Sequence, residues 1–88
     1  RSMLLLKEEF EKQMKETLGP SFNNELLQLM FALPYLKIEL LAKREIAHRQ
    51  SASVWLKRLT DANIVKPQKI GRTTYYINYR LMELLSSD

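Results

Sequence analysis

Apolar residues recur at helical spacing through the first two thirds of the chain and follow a strand-like pattern after it. An apolar residue at every fourth position predicts an amphipathic helix from Met3 to Leu18, because this spacing lines one helix face. That face carries Leu6, Phe10, Met14 and Leu18. Gly19-Pro20 should end the helix, since glycine and then proline are typical just past a helix C-terminus.

Two more helices are predicted before the middle of the chain. The second begins between Ser21 and Asn24, where a serine or asparagine can cap it, and ends before Pro34. The third is short and covers Leu36 to Lys43, with inward positions at Ile38, Leu41 and Ala42. Residues 44–47 then form a turn.

A fourth helix, Arg49 to Ala62, has two different faces when its residues are placed at roughly 100° per step. One face is apolar and holds Ala52, Leu56 and Leu59, with Trp55 at its border. The opposite side is polar except for one valine and holds Gln50, Val54, Lys57 and Asp61, flanked by Ser53 and Arg58. This pattern predicts a helix that packs on one side and presents the other side to solvent or to a partner.

The residues after this helix have the composition of a β-hairpin. Thr73 to Ile77 is dense in β-branched and aromatic residues, residues 64–70 are also strand-like, and Gly71 supplies the turn between the two runs. Pro67 cannot donate to a β-ladder, which favours an edge or a bulge in the first strand. Leu81 to Leu85 is expected to form a closing helical turn.

This order of elements predicts a fold that is mainly α with a small β-hairpin. Three helices followed by a two-stranded wing give a winged helix-turn-helix over residues 38–78, whose recognition helix starts at Arg49. We expect a winged helix-turn-helix domain at residues 21–88, preceded by an extra N-terminal connector helix within residues 1–20.

Basic residues are concentrated in the second half of the chain. Residues 43–80 carry nine basic and two acidic side chains, a net charge of +7, whereas residues 1–42 carry five basic and six acidic ones, a net of −1. This asymmetry is what a basic face for nucleic acid would produce, and a solvated basic surface without a ligand would produce it equally well.

Composition limits the other chemistry of the chain. It has no cysteine and a single histidine, so a metal site is not expected and the chain suits a reducing cytosol. No apolar run approaches the roughly 20 residues of a membrane span, and a signal peptide is not evident. We expect a cytoplasmic protein with no membrane partner, no metal and no cofactor of its own.

A helix-turn-helix places the start and the outward face of its second helix in the major groove of DNA. Arginine can pair with guanine, glutamine with adenine, and an aliphatic side chain can touch a thymine methyl group. The candidate double-stranded DNA-binding residues on and beside this helix are His48, Arg49, Gln50, Ser53, Val54, Lys57 and Arg58, and those in the wing are Lys69 and Arg72. His48 could cap the helix or contact a phosphate.

Each candidate also has a simpler interpretation. Arg49 and Lys57 could merely keep an exposed helix soluble, Val54 could be an incidental exposed apolar residue, and Lys69 with Arg72 could serve only to form the turn. No catalytic nucleophile or carboxylate partner of His48 is identifiable from the sequence around it, and the two glycines do not form a phosphate-binding loop. Catalysis by this chain is therefore not expected.

Several segments in fixed order resemble the C-terminal region of Fic-family proteins. They are Pro34-Tyr35-Leu36-Lys37-Ile38, Arg49-Gln50-Ser51-Ala52-Ser53, Trp55-Leu56-Lys57-Arg58-Leu59, Gly71-Arg72, Tyr76-Ile77-Asn78 and Leu81 to Leu85. The resemblance covers more than half of the chain. The chain departs from the family pattern at Arg44-Glu45, where glycine is frequent, and at His48, where serine or threonine is frequent.

The resemblance implies a bacterial parent protein that transfers AMP from ATP to a target hydroxyl. The His-Pro-Phe motif of that activity does not occur here, so catalysis and ATP binding would belong to an upstream domain. An alternative to DNA binding is an interaction module that forms a homodimer, contacts its own catalytic domain or recruits its target. Exposed Val54, the Leu4-Leu5-Leu6 patch and the apolar stripe of the first helix favour this alternative.

Overall fold

The computed structural model describes residues 3–86, which form five α-helices and a three-stranded antiparallel sheet. In chain order the elements are α1 (Met3–Leu18), α2 (Asn24–Ala32), β1 (Tyr35–Leu36), α3 (Ile38–Lys43), α4 (Arg49–Asp61), β2 (Lys66–Ile70), β3 (Thr73–Ile77) and α5 (Tyr79–Ser86), and Gly19–Ser21 form a short 3₁₀ turn after α1. This mainly helical arrangement is compatible with a winged helix. The outer limits of the two predicted domains, residues 1 and 88, lie outside the described residues.

Local signals in the sequence set the limits of the first two helices. α1 ends at Leu18 because Gly19 takes a positive φ of 56° and Pro20 follows it. α2 begins where the side-chain oxygen of Asn23 accepts hydrogen bonds from the backbone N–H groups of Glu25 (2.7 Å) and Leu26 (3.3 Å). Both helices lie where the sequence pattern predicted them.

The sheet contains one strand that the sequence analysis missed. Its strand order is β1-β3-β2, and Tyr35 and Leu36 pair with Ile77 and Tyr76. The third helix therefore begins at Ile38 and not at Leu36 as predicted, because the two preceding residues are extended and hydrogen-bonded to β3. Pro67 lies in β2 at the edge of the sheet, as predicted.

The C-terminal segment is also longer than the predicted helical turn at residues 81–85. α5 spans Tyr79–Ser86, and the buried Asn78 before it fixes its start. The side-chain oxygen of Asn78 accepts a hydrogen bond from the backbone N–H of Leu81 (3.2 Å), while its Nδ2 donates to the carbonyl oxygen of Met30 (3.2 Å). This side chain therefore caps α5 and ties it to α2.

One hydrophobic core holds the helices and the sheet together. The stripe of α1 that the sequence identified is buried in this core, alongside residues of α2, α3 and α4. α1 packs against α2, α4 and α5 within the same chain. Its apolar stripe therefore needs no outside partner, which removes one argument for the interaction-module interpretation. None of the helices within residues 3–86 combines the length and the apolar character that a membrane crossing requires.

The helix-turn-helix segment is shaped by the same capping motif at both of its helices. The N–H of Glu45 donates to the carbonyl of Ala42 (3.1 Å) and that of Ile46 to the carbonyl of Leu41 (3.0 Å), which is the Schellman pattern at the end of α3. After α4, the N–H groups of Asn63 and Ile64 make the equivalent bonds. Glu45 and Asn63 consequently have positive φ values, 58° and 61°.

Candidate nucleic-acid interface

α4 presents one buried and one exposed face, as its sequence pattern predicted. Ala52, Leu56 and Leu59 are fully buried in the core, and Trp55 packs at the border of the core. The remaining candidate residues of this helix are all exposed, namely Arg49, Gln50, Ser53, Val54, Lys57 and Arg58. The helix is therefore anchored by its apolar stripe, and its polar face is open to solvent.

The turn between α3 and α4 positions the start of α4 beside α3. Ile46 and Ala47 both donate backbone hydrogen bonds to the carbonyl of Leu41 (3.0 and 3.4 Å), and both pack against the core. A shallow depression results between the two helices, lined by Lys37, Glu39, Leu40, Ala42, Lys43 and Arg49. The first residue of α4 therefore lies beside basic side chains contributed by α3 and the residue before it.

Two basic residues of α4 have acidic neighbours at the surface. The guanidinium of Arg49 lies 3.9 Å from the carboxylate of Glu39, and the ammonium of Lys57 lies 3.5 Å from that of Asp61. All four side chains are more than half exposed. Exposed ion pairs of this kind contribute about 0–1 kcal/mol, so a phosphate group could displace either carboxylate at small cost.

His48 occupies the N-cap position of α4 but does not perform the capping role that was one of its two predicted roles. Its backbone is extended, and its carbonyl accepts the first helical hydrogen bond from Ala52 (2.8 Å). Its imidazole makes no capping hydrogen bond to any part of residues 3–86. The side chain is exposed next to Arg49, so the predicted phosphate contact is sterically open to it.

The wing is the hairpin of β2 and β3. Ile70 pairs with Thr73, so Gly71 and Arg72 form a two-residue loop in which Gly71 has a φ of 63°. A positive φ at the first loop position is typical of a hairpin turn that requires glycine there. Lys69 and Arg72 are both exposed at this end of the hairpin.

The structure thus places the predicted site residues in two groups. Those of α4, with His48 directly before it, are exposed along a single helix from its first turn to Arg58, whereas Lys69 and Arg72 lie together at the tip of the wing. Among the described residues, no hydrogen bond or ion pair joins the two groups. Their joint use would require one extended ligand that reaches both.

Sequence reasoning missed basic residues that the fold brings to the start of α4. Lys37 and Lys43 line the same depression as Arg49, and Arg44 is exposed in the turn that follows. Periodicity could not reveal them, because they belong to α3, its turn and the residue before it rather than to the recognition helix. Their basic character in the sequence was the available signal.

Within residues 3–86 no group of three or more histidine, cysteine, aspartate or glutamate side chains is placed to hold a metal ion.

A larger groove between α1 and α5 is lined by side chains that include Glu9, Lys12, Arg80 and Glu83. Arg80 is held there by Gln13, whose Oε1 accepts a hydrogen bond from Nη1 (3.3 Å), and by the ring of Phe10, 5.6 Å from the guanidinium carbon.

Comparison with known protein families gives a match that covers most of the chain. Residues 6–81 match the family described as the C-terminal domain of SoFic-like protein adenylyltransferases. The matched region begins within α1 and ends within α5, so it takes in the helix-turn-helix, the wing and most of the first helix. The predicted resemblance to the C-terminal region of Fic-family proteins is therefore confirmed, and the chain belongs to the SoFic-like protein adenylyltransferase family as its C-terminal domain.

Proposed function

We propose that this domain binds double-stranded DNA through the outward face of α4 and the tip of the wing, while AMP transfer is confined to an upstream domain of the parent protein. The observation that carries this proposal is the division of α4 into two faces. Its apolar stripe is fully buried in the core, and its opposite, polar face is exposed to solvent. A helix fixed in this way can enter the major groove as a rigid element.

The residue types on that face suit both kinds of DNA contact. Arg49 and Gln50 lie in the first turn of α4, where the recognition helix of a helix-turn-helix approaches base edges. Lys57 lies two turns further along, and Lys69 and Arg72 extend the basic surface to the wing. The excess of seven positive charges over residues 43–80 supplies the phosphate attraction that sequence-independent binding needs.

The test is fluorescence anisotropy with a labelled duplex of mixed sequence, measured for the whole chain and three single variants. Arg49→Ala and Lys57→Ala should each weaken binding. Lys12→Ala is the matched control, because it removes the same charge from α1, beside the groove with α5. Equal affinities for the Lys12 and Lys57 variants would mean that α4 is not the binding surface.

A protein partner is the second candidate, and two exposed apolar side chains favour it. Val54 is 48% exposed in the middle of the outward face of α4, and Ile70 is 61% exposed near the tip of the wing. An apolar group at the centre of a polar surface is typical of the anchor residues of protein interfaces. If Val54→Lys abolishes self-association in sedimentation while duplex binding is retained, the surface serves a second copy of the domain.

A further inference from the structure

The sheet has an outward face whose composition differs from that of both proposed DNA-contacting regions. Residues directly opposite each other in an antiparallel sheet point to the same side, so the register places Tyr35, Ile77 and Lys66 on one face and Leu36, Tyr76 and Pro67 on the other. Leu36 and Tyr76 pack into the core. The face with Tyr35 therefore lies opposite the core, with α5 beside its Ile77 end, and Tyr75 and Gln68 continue it.

Two tyrosine rings stand together on this outward face. The rings of Tyr35 and Tyr75 meet edge to face, with centroids 6.4 Å apart and planes at 86°. Tyr35 is 53% exposed although it carries a large aromatic ring. The pair is formed across the two strands β1 and β3, so its geometry is set by the sheet and not by a mobile loop.

One lysine borders the tyrosine pair, and a second lies further along the same face beside α5. The ammonium of Lys37 lies 5.9 Å from the ring centroid of Tyr75, and that of Lys66 lies 4.3 Å from the ring centroid of Tyr79. Residues 34–38 and 64–78, which form the three strands and their flanks, contain no acidic residue. Acidic side chains adjoin this face at its borders, where Glu39 shares a depression with Lys37 and Glu83 shares one with Ile77.

These charges decide which chemical class of ligand the face would accept. A cationic ligand for the tyrosine rings would be repelled by Lys37, which already lies over Tyr75. A ligand with flat aromatic groups joined by phosphates suits both the tyrosine rings and the lysines. Its bases can stack on the exposed rings, and its phosphates can pair with the lysine ammonium groups. Single-stranded nucleic acid has this chemistry, whereas the stacked bases of a duplex cannot reach the rings.

We propose that the outward face of the sheet is a binding site for single-stranded nucleic acid, with bases stacked on Tyr35 and Tyr75 and phosphates held by Lys37 and Lys66. This site is separate from the surface of α4 proposed for duplex DNA, because Tyr35 and Tyr75 belong to β1 and β3. Either proposal can therefore hold without the other. A strand bound here would run beside the depression in which Lys37 and Arg49 both lie.

The test uses a fluorescein-labelled oligothymidine and the intact chain at low salt, with binding followed by anisotropy. Tyr35→Leu and Tyr75→Leu should each weaken binding by roughly tenfold, the effect typical of losing one base–aromatic stack. Tyr35→Phe and Tyr75→Phe should bind like the wild type, because the ring remains. Lys12→Ala should leave oligothymidine binding unchanged, because it removes a positive charge from α1, in the groove with α5 and away from the outward face of the sheet.

Three results would overturn the proposal. The first is that the wild-type protein does not bind oligothymidine at low salt. The second is that the leucine variants bind it as tightly as the wild type. The third is that the phenylalanine variants lose as much affinity as the leucine variants. Circular dichroism of each variant shows whether it is folded. Tyr35→Leu is expected to retain the fold, because Tyr35 is largely exposed. If Tyr75→Leu does not fold, the comparison of Tyr35→Leu with Tyr35→Phe still tests the proposal.

Discussion

The turn between α3 and α4 contains a residue whose replacement should stabilise the domain. Glu45 has a φ of 58°, in the left-handed region that residues with a Cβ atom rarely adopt. The Schellman hydrogen bonds at the end of α3 hold it there, since its own N–H donates to the carbonyl of Ala42. Glu45→Gly removes the Cβ atom and leaves these backbone hydrogen bonds in place, so the strain should be relieved.

The expected gain is the difference between two opposing effects. A non-glycine residue in the left-handed region costs about 1–2 kcal/mol, whereas glycine gives the unfolded chain extra conformational entropy worth about 0.5–1 kcal/mol. Because the side chain of Glu45 is exposed, its loss should cost little. We therefore expect the free energy of unfolding to rise by about 0.5–1 kcal/mol, which corresponds to a rise of roughly 2–8 °C in Tm for a domain of this size.

Urea denaturation followed by the fluorescence of Trp55 measures this change, because Trp55 packs against the core and should report its loss. The slope of the free energy with urea should stay constant, and only the midpoint should rise. Glu45→Ala is the matched control, since it removes the same charge but keeps the Cβ atom, and its midpoint should stay near that of the wild type. Asn63→Gly should gain less than Glu45→Gly, because asparagine tolerates its φ of 61° better than glutamate does.

A Glu45→Gly variant that unfolds at the same or a lower urea concentration than the wild type would refute the proposed backbone strain at this position. Equal midpoints for Glu45→Gly and Glu45→Ala would also refute it, because the charge and not the backbone would then be responsible. A raised midpoint for Glu45→Gly alone would identify backbone strain in the helix-turn-helix turn.

Two further substitutions test a structural contact and a surface contact. Asn78→Ala should lower the free energy of unfolding by about 2 kcal/mol, because the buried carbonyl of Met30 and the buried N–H of Leu81 lose their hydrogen bonds to the Asn78 side chain. An unchanged urea midpoint would contradict the role of Asn78 as a cap and tie. Glu39→Gln should raise the affinity for duplex DNA by about two- to fivefold, because it frees the guanidinium of Arg49 from a competing carboxylate. Anisotropy measures this affinity, and weaker binding would show that Glu39 positions Arg49 for DNA.

The sequence predicted the helices best where periodicity and capping agree. The limits of α1 follow from its four-residue apolar spacing and from Gly19-Pro20, and the start of α4 at Arg49 follows from its two faces. β1 could not be predicted, because a strand of two residues between Pro34 and α3 is too short to show alternation. Its extended conformation depends on pairing with β3, which lies far away in the sequence.

The difference between local patterns and long-range pairing also explains how much of the candidate site could be predicted. The exposed face of α4 is a property of one helix, so a spacing of 3.6 residues was enough to separate Val54 and Lys57 from Leu56. The tyrosine pair on the sheet depends on the register between β1 and β3, which no local pattern in the sequence specifies. The sequence therefore predicted the exposed face of α4, whereas the tyrosine pair could be recognised only from the structure.

The proposed role of α4 in DNA binding is tested most directly by the salt dependence of duplex binding. Each phosphate contact contributes a slope of about −0.9 to the logarithm of the binding constant against the logarithm of salt concentration. The double variant Arg49→Ala/Lys57→Ala should therefore have a slope shallower by roughly 2 than that of the wild type, while Lys12→Ala keeps the wild-type slope. A double variant with the wild-type slope would show that the outward face of α4 does not contact DNA phosphates.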